Sequence, residues 1–313
     1  MGMAAAAGPV VTQAIVRDRW SGGDAAKIIA LIAVFFGLAP ALAPVVGGEL
    51  TVHLGWRSIF IFLAVLSAAM AFCSACVLKE SLPSERRVSF RPWATLLRYG
   101  EVLKVPAFTS GVVAHGFIFL GLIVYSAGAA DFVLNVMGLG VDEFGWLMIP
   151  MVVAGMTGSW ACSHLLAMFG QNRLLFWGVG FLAASGLFGV VFDHGPFAVF
   201  PWVLLAPVVY NFAAAAVRPA LKVMNLDYFP KSRGLAASVQ QFFQTGAFAV
   251  SSALLIPIVL GEAWKYAAVM LGSGLIALVL LLVVRRTRPA ALAAAEAEEL
   301  AEDELRIKPT KLS

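Results

Sequence analysis

Charge is what this chain has least of: only 13% of its 313 residues are Asp, Glu, Lys or Arg, about half the usual share of a soluble domain. That shortage excludes an ordinary water-soluble fold and points to lipid as the solvent for most of the chain. Cysteine is also scarce. Cys73 and Cys76 form a CxxC inside an apolar run and Cys162 stands alone, so all three read as reduced packing thiols.

The residues of enzyme chemistry are equally thin. The four histidines, His53, His115, His164 and His194, have no second histidine or carboxylate at metal-ligand spacing, and neither HExxH nor GxSxG occurs. The stretch 138-GLGVDEFG-145 has its carboxylate one residue too late for a membrane aspartyl protease. Asp142 and Glu143 there are better explained as favourable charges at a helix N-terminus. The chain also lacks the phosphate-cradling G-x-x-x-x-G-K-[ST]. No enzyme activity, cofactor or metal is expected.

What is abundant is apolar sequence, at 61% of residues. A helix needs about 20 mainly apolar residues to cross a bilayer. Runs of that order lie at 28–50, 58–78, 107–130, 144–169, 173–192, 197–217, 234–260 and 263–284, with a shorter piece from Met1 to Val16 before them. None alternates with the two-residue period of a barrel strand, so the chain reads as an all-α polytopic membrane protein.

Lysine and arginine set the expected orientation, because they accumulate in cytoplasmic loops. One set of alternate loops contains Arg17, Arg19, Lys27, the basic residues from Lys79 to Lys104, Arg173, Lys222, Lys231, Arg233 and Arg285 to Arg288, whereas the other contains only Arg57 and Lys265. The first set, and the C-terminus with it, is expected inside. The net charge of +4 follows from this topology, and basic residues scattered over five loops do not make a nucleic-acid surface.

The longest polar segment, between Lys79 and Lys104, separates two bundles. The expected division is 1–78, a first helical bundle; 79–106, a cytoplasmic linker with a surface helix around Trp93 to Leu103; 107–286, a second bundle; and 287–313, a cytoplasmic tail, solvated helix or disordered.

Within the spans, small and polar residues are spaced with purpose. In 37-GLAPALAPVVGG-48, Pro40, Pro44 and Gly48 recur every four residues beside Gly47, and Gly37 starts the series, giving a face poor in side chains. Small residues let helices approach closely where lipid supplies no hydrophobic drive. The prolines cost backbone hydrogen bonds that neighbours must relieve. Such a face suits either a kinked packing helix or a seam along which two half-molecules open and close.

Polar side chains at membrane depth are functional candidates by default. Asn211, Arg218 and Lys222, seven and four apart, share a helical face. Gln240, Gln244 and Ser251 make a second face, with Gln241 and Thr245 beside it, and His115 lies about 12 Å into its own helix by the 1.5 Å rise. Each also has a structural reading: snorkelling for Arg218 and Lys222, interhelical glue for the glutamines and packing for His115.

The run G-x-x-P-x-x-x-P-x-x-G-G followed by 55-GWRSIF-60 resembles the antiporter motif and the next helix start in proton-coupled drug exporters of the major facilitator superfamily. The segments 12-TQAIVRD-18, 138-GLGVDEFGWLMIP-150 and 234-GLAASVQQFFQTGA-247 are similar to the fourth, eighth and eleventh helices of its bicyclomycin-resistance (Bcr/CflA) subfamily. The chain departs from that pattern at Gln13, where arginine is usual, and at Ala130 and Asp131, where Ser-Pro is usual.

The resemblance implies a bundle of six plus six helices with a central cavity, of which about nine are expected here. The chain would enter within the fourth helix, so that 1–78 holds helices four to six and 107–286 holds helices seven to twelve. It implies a monomeric bacterial inner-membrane carrier exporting a small lipophilic or cationic compound in exchange for protons, with the bilayer as its surroundings. Gly37, Pro40, Pro44, Gly47 and Gly48 would be its antiporter motif, and His115, Asn211, Arg218, Gln240, Gln241 and Gln244 its substrate-binding candidates. A metabolite exporter and a non-transporting remnant are the competing expectations.

Overall fold

Glycines and prolines, more than hydropathy, decide where the helices of this chain start, bend and stop. A computed structural model describes residues 45–77, 92–193, 199–229 and 233–307, together with the isolated positions Thr12, Ile15, Ile28, Ile32, Leu42 and Ala43. The described elements are helical, with no strand among the described residues: α1 (Val45–Leu54), α2 (Arg57–Val77), α3 (Pro92–Leu103) and α4 (Pro106–Ala127). The helix Gly145–Phe192 is broken at Gly170 into α5 (145–169) and α6 (171–192). Then come α7 (Leu205–Asp227), α8 (Arg233–Val250) and α9 (Ala263–Ile307). Six of the described helices are long and apolar enough to cross a membrane, and the one broken at Gly170 holds two of the expected spans.

Contacts divide the chain into two compact units, one of Met1–Arg91 with Val141–Val152 and one of Pro92–Gly140 with Val153–Ser313. In the first unit, α1 ends at Gly55, whose φ of +80° is a left-handed conformation that glycine adopts without a Cβ penalty. The Gly55 N–H donates to the Thr51 carbonyl at 3.0 Å. Ser58 donates its Oγ to the Gly55 carbonyl at 2.7 Å and its N–H to the same oxygen at 3.0 Å. The sequence 55-GWRS-58 is thus a complete C-cap and restart between α1 and α2. Ahead of α5, a 3₁₀ turn at Val141–Glu143 places both of its carboxylates just before the helix N-terminus, as the sequence implied.

In the second unit α4 is the hub, and it meets its neighbours through glycines. A Cβ at Gly121 would overlap Tyr210 of α7 and lie 3.2 Å from Ser273 of α9, and one at Gly116 would lie 3.6 Å from the Phe243 carbonyl of α8. The Tyr210 hydroxyl donates to the Ile118 carbonyl at 3.2 Å. The same device joins α6 to α9, where a Cβ at Gly274 would lie 2.9 Å from the Ala183 backbone and one at Gly189 2.6 Å from the Ala267 methyl. Backbones that approach this closely gain dispersion contacts in a medium without a hydrophobic drive.

Beyond α4 the chain stays helical through Asp131 and a π turn at Phe132–Val136. Asp131 Oδ2 accepts from the Gly261 N–H at 2.8 Å and from the Tyr266 hydroxyl at 2.9 Å, while its Oδ1 accepts from Asn135 Nδ2 at 2.7 Å. Partial burial pushes the carboxyl up, but hydrogen bonds from Asn135, Gly261 and Tyr266 outweigh this and hold it below the ordinary value of 3.8. The end of α4 is thereby pinned to the turn between α8 and α9.

Two boundaries differ from the sequence expectation. The span expected at 197–217 is a 3₁₀ turn at Trp202–Leu204 and then α7, which continues ten residues past Val217 to Asp227. Hydropathy falls at Arg218 and Lys222, but Ala, Leu, Lys and Met are good helix formers, and one interior proline, Pro219, does not stop the helix. Likewise α9 runs to Ile307 through the alanine-rich tail. The surface helix expected around Trp93 to Leu103 is α3, and it packs Tyr99 and Val102 against a cluster that includes Phe108, Val112, Ala236 and Val239.

Candidate functional site

Neighbouring contacts fix the depth of each polar side chain in the second unit. A Cβ at Gly111 of α4 would overlap the Asn225 amide of α7. The Arg218 guanidinium of α7 lies 4.7 Å from the Phe119 ring of α4. Two turns along α7 thus match two turns along α4 in the opposite direction, and His115 lies between the two contacts. Because α8 puts Phe243 against Gly116, Gln240, one turn earlier, falls at nearly the same depth.

These side chains are enclosed and unmatched. His115 and Gln240 are each 2% exposed and Asn225 is fully buried. His115 Nδ1, Arg218 Nε, both amide atoms of Asn225 and both of Gln240 have no hydrogen-bond partner. An unmet buried polar group costs about 1–3 kcal/mol, so several within two turns of facing helices need a water, ligand or proton to complete them.

The structure therefore draws together three of the six predicted binding residues, His115, Arg218 and Gln240. Asn211 is half-buried beside Gly155, whose Cβ would lie 3.6 Å from its amide. Gln244 is half-buried one turn beyond Gln240. Gln241 points away, exposed, and donates to Thr245 Oγ1 at 3.4 Å. Asn225 was missed by the sequence reading. It lies seven residues beyond Arg218, on the series that begins at Asn211, past the charged Arg218 and Lys222 where the apolar pattern fades.

In the first unit, Gly48 is buried, and a Cβ there would lie 2.6 Å from the Val141 carbonyl oxygen, whereas one at Gly47 would meet nothing within 4 Å. The close approach expected of the pair belongs to Gly48. Gly37, Pro40 and Pro44 lie outside the described residues.

A multi-pass helical membrane protein with polar groups unmatched at membrane depth has the makings of a carrier, and the comparisons agree: the chain belongs to the Major Facilitator Superfamily, whose model matches residues 1–205. Among its relatives, an MFS-type transporter of Bacillus subtilis described as uncharacterized, YdgK, is 28% identical over 63% of this chain and 50% of its own length. A bicyclomycin resistance protein homolog of Haemophilus influenzae is 24% identical over 56% of this chain and 44% of its own. The multidrug resistance protein MdtL of Escherichia coli is 23% identical over 90% of this chain and 70% of its own. The chain spans about half the length of the first two.

Proposed function

We propose that the chain works as a proton-coupled exporter of small lipophilic compounds in a bacterial inner (plasma) membrane, as a monomer with its C-terminus in the cytoplasm. In this reading two bundles, 1–78 and 107–286, are joined by the cytoplasmic linker 79–106, and His115, Asn211, Arg218, Gln240 and Gln244 contact the substrate. The observation that carries the proposal is the set of unpartnered groups on His115, Arg218 and Gln240, which are costly at membrane depth unless they serve a passing ligand. The names of relatives that match the chain, a bicyclomycin resistance protein homolog and the multidrug resistance protein MdtL, support drugs as the cargo. The tight passage of Gly48 past Val141 supports a mechanical role for the antiporter motif.

The test is drug-susceptibility profiling of a deletion strain and an overexpressing strain, with and without a protonophore. Overexpression should raise resistance to at least one lipophilic antibiotic, and the protonophore should abolish the gain. An unchanged profile for every lipophilic, cationic and antibiotic compound would count against export.

A further inference from the structure

The charges at the polar site have one sign. Arg218 and Lys222 both lie within electrostatic reach of His115 and of each other. No carboxylate is hydrogen-bonded or ion-paired with either among the described residues, and the Arg218 guanidinium instead rests on the Phe119 ring. The nearest carboxylate along α7, Asp227, is exposed at its end. Lys222 is exposed and Arg218 half-buried, and a cation held even partly out of water is costly unless something pairs with it.

Donors are also in excess. Arg218 offers five N–H groups and the Asn225 and Gln240 amides two each, the nitrogen and the oxygen of both amides being unused, while Lys222 is exposed. Against these the site presents two amide oxygens and at most one imidazole nitrogen. A cationic compound would add a third positive charge and bring no acceptor. An anionic one would supply both things that are missing.

We propose that Arg218 of α7, with His115 of α4 and Gln240 of α8, which lie between the level of Arg218 and that of Asn225 two turns away, forms a subsite for the negatively charged, acceptor-rich group of the transported compound, so that this carrier takes aromatic or aliphatic organic anions in preference to lipophilic cations. This rests on the reading of the same site as a substrate site and reverses the sign of charge expected from the family resemblance. The Phe119 ring orients the guanidinium. Gln240 supplies neutral donors that fix the anion without adding charge.

The test is equilibrium dialysis of the purified full chain in detergent with two aromatic probes of opposite permanent charge, naphthalene-2-sulfonate and tetraphenylphosphonium. The sulfonate should bind saturably and at least about tenfold more tightly than the phosphonium. Arg218→Gln should weaken the sulfonate about tenfold or more and leave the phosphonium unchanged or tighter, while Arg218→Lys keeps part of the affinity. Each variant should elute as a single species with an unchanged melting midpoint, which separates lost binding from lost folding. Arg57→Gln, outside the site, should bind as the parent does. Tighter binding of the phosphonium, or sulfonate binding that survives both Arg218→Gln and Gln240→Ala, overturns the anion subsite and leaves the carrier reading standing. Binding of neither ion overturns both.

Discussion

Helices α2 and α4 are nearly the same object by composition and nearly opposite in the structure. They are 21 and 22 residues long, and their hydropathies, 2.4 and 2.0, both mark a membrane span. Yet no residue of α2 from Arg57 to Cys76 is buried, whereas more than half of α4 is. Large apolar side chains surround α2, with Phe60, Ile61, Phe62 and Leu63 all exposed, and it has no glycine. Along α4, Gly111, Gly116 and Gly121 each admit a neighbour to within contact of the backbone. Hydropathy measures the cost of water. The spacing of glycine says who the neighbour is.

The largest expected break in that comparison is Gly121→Leu, which drives a branched side chain into Tyr210 and Ser273. It should cost at least about 1–3 kcal/mol of packing and be read as loss of the monodisperse peak in size exclusion, whereas Ala68→Leu on exposed α2 should elute unchanged. Next comes Gly48→Leu, which should abolish export while leaving membrane insertion intact, because its side chain meets the Val141 carbonyl. Gly47→Leu should transport nearly normally, since open space surrounds it, and equal loss in both would break the distinction.

A smaller effect belongs to Asp131. Removing its three hydrogen bonds with Asp131→Ala should cost about 1–2 kcal/mol, since these bonds are largely exposed, and lower the melting midpoint in detergent. Its carboxyl is held below 3.8 in the folded state. Its contribution is therefore fully present above that value and is lost as pH falls through the lower folded value, so the melting gap between parent and variant should close only in strong acid. Smallest of all, Lys265→Met breaks a 2.7 Å pair with Glu262 that is half-exposed and should change stability by less than about 1 kcal/mol.

The sequence made the helices legible because about 20 apolar residues have few other uses, and Gly170 fell in the gap expected between 169 and 173. The glycine pair was legible as a face poor in side chains but not by member, since only a neighbour's position tells Gly48 from Gly47. Arg218, Gln240 and His115 stand out in the sequence because a polar residue in an apolar span is conspicuous. Asn225 was lost for the converse reason: once Arg218 and Lys222 lowered the local hydropathy, the amide beyond them read as loop. What periodicity cannot give is which residues of adjacent faces turn inward, and it grouped exposed Gln241 with buried Gln240.

The π turns at Phe132–Val136 and Ser251–Leu255 have a genetic consequence. A π turn closes its hydrogen bond one residue later than an α turn, as the Met137 N–H does to the Phe132 carbonyl at 2.8 Å, so each holds one more residue than a plain helix needs. Loss of a single in-frame codon within 251–255 would let α8 run on as regular helix. The same loss between 241 and 246 would turn Gln240 about 100° away from the residues that follow it. Codon-by-codon deletion scanning from 233 to 259 should therefore show one tolerated stretch, the five residues 251–255 that follow α8, in an otherwise intolerant segment.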